Sequence, residues 1–411
     1  MMVPKTMTDL LQRFCKAGYP AWAAGPCVRD VLLNRTPAAW EVLTEADTPA
    51  VCALFPAGTR LGSAVQMAAD EKNQTVTIWT KTSPDRFCAG QPFTCDAMAM
   101  RVDGQVIDLV GGQADLAAQR VQTVGTPREV FSQNPMAILQ AIRTCAELDF
   151  TLAEAVYKGA KHGAKPLRTE NREAILEEFQ RILTASHAGL GLSLLGQTDC
   201  LPALIGTKKA RIMRRWEIKS FHNLCRQIDT LPSDPITRLS MFYLCFEGPD
   251  MMSAAEYLPL PQPLMAVLQD AERYLPFVSM ANRKEKLKDV IAACGLERYQ
   301  VLHELTRAQS AVFQTTDPRI AKREEMLAEI LAQKEPIFLQ ELALGEEELI
   351  EAGLTEESGS PRLLALLLEY VHRQPHANHK QALLEEAARC ANSRWMVLTR
   401  KKRWKQPGPA S

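Results

Sequence analysis

The stretch Ala24-Gly25-Pro26-Cys27-Val28-Arg29-Asp30 and, just beyond it, Ala39-Trp40-Glu41-Val42-Leu43-Thr44 decide how the chain folds. A strand alternates its side chains between two faces, so Ala39 and Glu41 share one face and Trp40 takes the other. Gly25 marks a turn, and the adjacent Arg29 and Asp30 read as a structural ion pair opening the helix after that turn.

These residues resemble the Gly-Gly-x-Val-Arg-Asp and Asp-x-Asp motifs of the class II tRNA nucleotidyltransferase and poly(A) polymerase family, whose CCA-adding members build the 3′ end of tRNA. The resemblance implies an α+β fold: an N-terminal nucleotidyltransferase head with a small mixed β-sheet and helices, then an all-α neck, body and tail. It also implies a strand whose two aspartates hold magnesium ions, hard cations that favour oxygen and bridge a triphosphate to the attacking hydroxyl. Here the first aspartate falls on Ala39 and the second on Glu41, the sole remaining carboxylate and the only candidate metal ligand of the pair. Glutamate adds one methylene, moving its oxygens by roughly an ångström, and misplacement of that size costs about 100-fold in rate. Pro26 stands where the family uses backbone N–H groups to approach phosphates, and proline has none. Gly25, Arg29 and Asp30 remain as candidate nucleotide-binding residues.

Further motifs repeat the pattern. Leu61-Gly62-Ser63 resembles a His-Gly-Thr turn, adding Gly62 and Ser63 to the nucleotide-binding candidates, while Thr80 occupies the arginine position of a Thr-x-x-Arg strand. Phe93-Thr94-Cys95-Asp96-Ala97-Met98-Ala99 follows Gly90, Gln91 and Pro92 where the family carries charges; Asp96 reads as a polar strand residue or a stray carboxylate near the site. Val106-Ile107-Asp108-Leu109-Val110-Gly111-Gly112 resembles the closing strand and turn. The nucleotide-reading helix of the family corresponds to one helix over 131–143, in which Gln133 and Asn134 replace acids and Ala137 and Gln140 replace arginines. The losses fall on groups that act on a metal, a phosphate or a base, and the apolar periodicity survives. Relaxed demand on catalysis with continued demand on folding sorts substitutions in this way.

The chain has 411 residues, enough for two to four domains, and its 46% apolar and 23% charged residues are those of an ordinary globular protein. Its 48 basic residues balance 48 acidic ones, so RNA contact has to come from local patches. Eleven cysteines without C-x-x-C pairs, and no segment of signal-peptide character, point to a reducing cytoplasm. No apolar run is long enough to span a membrane.

Past residue 130 the strand signals largely stop and helical periodicity takes over. We expect a head over 1–130, a helical neck with nucleotide-recognition and RNA-binding likeness over 131–200, a helical body over 201–330, and a helical tail with a basic C-terminus over 331–411. Within 171–183, Ile175, Phe179, Ile182 and Leu183 form one stripe, and the segment resembles the Glu-Arg-x-x-x-Glu-Leu neck helix, with Glu178 on its second acid and Ala174 on its arginine. Residues 237–247 occupy the place of a His-Asp hydrolase motif but hold no such pair. His372, His376 and His379 have helical spacing that Pro375 interrupts, and they read as surface histidines. Lys208, Lys209, Arg211, Arg214 and Arg215 form a basic cluster where the family cradles tRNA, and are the RNA-binding candidates; the basic aromatic end from Arg394 to Lys405 reads as a solvated tail.

The resemblance implies nucleotidyl transfer from CTP or ATP to a tRNA 3′ end. The substitutions point to a pseudoenzyme with lost or strongly reduced catalysis, because essential groups act as a unit and several losses leave little rate. A tRNA or other RNA is the expected partner, the losses speak against CTP and ATP, and neither DNA nor a membrane is expected. Mg2+ is the expected cofactor only of an active form. Two alternatives remain: a still-active transferase or poly(A) polymerase whose rearranged metal site recruits Asp96 or Asp108, and a protein-interaction scaffold that binds no RNA.

Overall fold

The computed structural model describes residues 4–68, 74–215, 218–246, 249–313, 317–355 and 359–392; for 211–215, 218, 249 and 392 it describes backbone only. The basic end and Glu247 lie outside the described residues, as do the side chains of Arg211, Arg214 and Arg215. The chain forms two compact units, Met1–Leu260 and Pro261–Ser411.

The first unit carries the α+β part that the sequence implies. Strands β1 (Ala21–Ala24), β2 (Ala39–Thr44), β3 (Thr59–Leu61), β4 (Ala64–Ala68), β5 (Thr75–Trp79), β6 (Met98–Met100) and β7 (Val106–Asp108) form one sheet in the order β3-β4-β5-β2-β1-β6-β7. Only β2 and β5 pair in parallel. The deciding stretch lies at the sheet's centre, where β1 pairs with β2 so that Ala24 faces Glu41. On β2, Trp40, Val42 and Thr44 are buried on one face, while Ala39, Glu41 and Leu43 take the other. Gly25 has φ +78°, a conformation that suits glycine, and Pro26 opens the helix Pro26–Leu32, where its missing N–H costs nothing.

In a minor pair, β8 (Arg120–Val121) lies beside β9 (Thr151–Leu152), and β9 is the one strand past residue 130 among the described residues. The single helix expected over 131–143 is two, Pro127–Gln133 and Ala137–Leu148. Pro135 is the cause: the residue before a proline is pushed out of the helical region, and Asn134 sits at φ −138°, ψ 87°. The neck helix, Arg172–Thr184, buries Ile175, Phe179, Ile182 and Leu183 as its stripe requires.

Residues 237–243 belong to a largely buried helix, Pro235–Tyr243. Its Phe242 ring packs edge-on against Phe179 at 4.9 Å. Its buried Arg238 donates to the carbonyls of Leu183 (2.6 Å), Ala185, Leu231 and Pro232 (each 3.0 Å). One guanidinium thereby satisfies the carbonyls that close the neck helix and the turn before its own helix.

In the second unit, Pro375 separates the helix Ser360–Arg373 from Lys380–Asn392. His376 and His379 are exposed as expected, but His372 is not a surface histidine. Its Nδ1 lies 2.9 Å from Asp289 Oδ1 and its Nε2 3.1 Å from the Ile337 carbonyl, an acid partner that sequence spacing does not reveal. Among the described residues no single helix is long and apolar enough to cross a membrane.

Because four carbonyls lose their donor together, Arg238→Met is expected to cost about 3 kcal/mol of stability, measured as a lowered urea midpoint of unfolding.

Candidate active-site cleft

The β2 face that presents Ala39 and Glu41 forms one wall of a cleft of about 560 Å³. The Pro26–Leu32 helix supplies Arg29 and Asp30 to it, and the helices Ala137–Leu148 and Arg172–Thr184 supply Arg143 and Arg181. The deciding motif is thus brought opposite the neck.

Arg29 is buried between two acids. Its Nη1 donates to Asp96 Oδ1 at 2.7 Å and its Nε to Asp30 Oδ1 at 3.0 Å. Burial alone would weaken the Arg29 charge, but the charges of Asp96 and Asp30 reverse this and raise its pKa. Burial likewise raises the Asp30 carboxyl, opposed by Arg29. Asp96 is accordingly not a strand residue. It sits in the short 3-10 turn Thr94–Asp96, two residues before β6, and is Arg29's counter-ion.

Glu41 has no cation. Its Oε2 accepts a hydrogen bond from Trp79 Nε1 at 3.1 Å, and burial raises its carboxyl above the ordinary range despite that bond, with the Asp96 charge pushing the same way. The glutamate reaches back over the glycine turn: a Cβ on Gly25 would lie 3.6 Å from Glu41 Cδ and 3.2 Å from the Phe87 ring. The backbone that would meet phosphates in the resembled family is covered by a carboxylate and an aromatic ring. Cys27 beneath it is inert, its thiol pushed up to about 12 by burial while its Sγ donates to the Ala24 carbonyl at 3.0 Å.

The donor set does not fit a two-metal clamp. Ala39 offers a methyl, and the acids considered as substitutes are committed elsewhere. Asp96 serves Arg29, and Asp108 accepts the backbone N–H groups of Val110, Gly111, Gly112 and Gln113. Burial alone would raise the Asp108 carboxyl, but those four donors hold it below the usual range. No group of three or more His, Cys, Asp or Glu side chains suited to a metal occurs among the described residues.

Other candidates are dispersed. Gly62, with φ +59°, and Ser63 form the turn between β3 and β4 and do not line the cleft; the Ser63 carbonyl accepts from Thr80 Oγ1 at 2.8 Å. Thr80 is therefore an internal tie. Lys208 is exposed, but Lys209 is buried and ion-paired with Asp250, which removes it from any RNA-facing patch. Sequence reasoning missed Arg35, Arg143, Glu147 and Arg181. Arg143 ties the helix Ala137–Leu148 to the helix Arg172–Thr184, with Nε on Glu178 at 2.8 Å and Nη1 on Glu147 of its own helix at 3.0 Å, and Arg35 Nη1 donates to the Glu147 carbonyl at 2.9 Å. The one available signal was Arg143, which stands at the end of the segment resembling the nucleotide-reading helix.

Comparison with known proteins agrees with the fold. No family model matches the chain. A CCA-adding enzyme of Limosilactobacillus reuteri is 27% identical over 237 residues, 51% of this chain and 59% of that protein. The match thus spans little more than half the length of that relative. A Bacillus stearothermophilus CCA-adding enzyme solved in complex with CTP superposes with a TM-score of 0.74 at 23% identity, covering 95% of this chain and 99% of that one. A Thermotoga maritima CCA-adding enzyme complexed with tRNA gives 0.65 at 17% identity, over 94% and 96%. The fold is that of the CCA-adding enzymes along nearly the whole chain.

The Glu41 environment makes a pH-dependent prediction. A carboxyl raised on folding binds its proton more readily in the folded chain, so its ionised form subtracts stability above the ordinary carboxylate range. Glu41→Gln keeps an acceptor for Trp79. It is expected to raise the thermal midpoint at pH 7 by roughly a degree or two, with the gain vanishing below about pH 4.

Proposed function

We propose that this chain, a member of the tRNA nucleotidyltransferase family, binds RNA with an unpaired end and has lost, or strongly reduced, nucleotidyl transfer. The observation that carries the reading is the β2 face, where Ala39 replaces one carboxylate and the other, Glu41, is tied to the Trp79 indole. A transferase of this type needs two metal-held oxygens placed to within fractions of an ångström. Here Mg2+ has no pair of carboxylates to join, and no step is assigned to it.

The division of labour is assigned from the resemblance. Residues 1–130 act as the head, 131–200 as the neck, 201–330 as the body and 331–411 as the tail. RNA is the partner because the fold is shared with enzymes that hold tRNA and because the neck and body keep exposed cations, Lys208 and Arg181 among them. Arg29 and Asp30 serve the fold, and nucleotide binding by CTP or ATP is not part of the role. Eleven cysteines scattered without C-x-x-C pairs are the ground on which we assign the protein to a reducing cytoplasm.

Two measurements test the reading. Purified protein given a tRNA lacking its 3′ end, magnesium and labelled CTP or ATP is expected to incorporate no label above background; robust incorporation abolished by Glu41→Ala would refute the loss of catalysis. Affinity for tRNA is expected to fall as salt rises. Absence of binding at low salt would favour the scaffold alternative instead.

A further inference from the structure

Past Glu41 the same sheet face leaves the cleft and continues onto β5. Register on the parallel pair sets Trp79 beside Leu43, on the same face as Leu43 and Glu41. Trp79 is 39% exposed, and the hydrogen bond from its Nε1 to Glu41 fixes the indole while leaving ring surface open to solvent. Beyond it the face is apolar, with Trp22 and Phe87 packed on Ala24, Leu43 and Ala99. A floor of this kind suits a nucleobase and not a triphosphate. Glu41 lacks a counter-ion, so a phosphate beside it would meet an uncompensated negative charge. On the other side of Glu41 the cleft is lined by exposed Arg35 and half-exposed Arg181, whose nearest acid, Glu178, stays 3.9 Å away.

We propose that Trp79 is the platform on which the terminal unpaired base of a bound RNA stacks, with the adjoining phosphate on Arg35 and Arg181 and without a divalent cation. The proposal rests on the RNA-binding reading above. It replaces the metal and triphosphate chemistry of the resembled family with stacking on an immobilised aromatic ring, which loses little freedom on binding.

The test uses full-length protein, a chelator, and two RNA hairpins that differ only in an unpaired 3′ end. The hairpin with the unpaired end is expected to bind about tenfold more tightly. Trp79→Leu abolishes that preference and leaves blunt-hairpin affinity unchanged, whereas Trp79→Phe keeps most of it; a preference that survives Trp79→Leu, or that appears only with added Mg2+, overturns the proposal. Wild-type protein supplies an independent arm, since a photoreactive thiouridine at the RNA 3′ end is expected to crosslink within β5. Crosslinks confined to other segments overturn it as well. Binding of both hairpins without preference sinks this inference alone, and binding of neither sinks the RNA-binding reading with it.

Discussion

The head depends on one buried cation. Arg29, 5% exposed, holds Asp30 on its own helix and Asp96 in the turn before β6, and so fixes the helix that follows β1 against the strand on β1's other side. An arginine removed from water persists only when its donors are met, and a fork of five N–H groups can serve two carboxylates at once. That commitment shapes the chemistry beside it. Asp96 is spent on Arg29 and is not available to a metal, and Glu41 is left without a positive neighbour and turns to an indole N–H. The constraint that stabilises the fold also withholds the parts of a catalytic clamp.

Fold and activity draw on different residues of the same motif. The buried positions of β2, Trp40, Val42 and Thr44, pack the sheet whatever stands at Ala39. Asp108 caps a glycine turn by accepting four backbone N–H groups, an interaction that serves the fold. A chain can therefore keep the fold of the CCA-adding enzymes along nearly its whole length while one strand face departs from the resembled motif, because folding free energy is summed over the core and not over that face.

Local pattern made the central strands, the shared face of Ala39 and Glu41 and the neck stripe legible in the sequence. What escaped it was contact at a distance. Asp96 reads as a strand residue until Arg29, 67 positions away, claims it; His372 reads as surface until Asp289, 83 positions away, buries it; and Lys209 reads as an RNA contact until Asp250, 41 positions away, pairs with it. The break at Asn134 was a different failure, a local rule about the residue before proline overridden by the expectation of one continuous helix. Arg181 was invisible for a third reason: a helix repeats every 3.6 residues, so which of its arginines faces a cleft depends on what it packs against.

The balance of charge in the cleft bears on how an RNA can be held there. Arg143 is tied to Glu147 and Glu178, and Arg29 to two aspartates, so two of the four arginines lining the cleft are already neutralised within the fold. Breaking such a pair to bind a phosphate returns little, since the acid left behind is half-buried and loses its partner. Phosphates in this cleft must therefore rely on the less committed arginines at its rim, and affinity for an RNA end has to come from uncharged contact. The neutral total charge of the chain says the same on a larger scale: long-range attraction does not bring RNA to this protein, and recognition must reside in a few shaped surfaces.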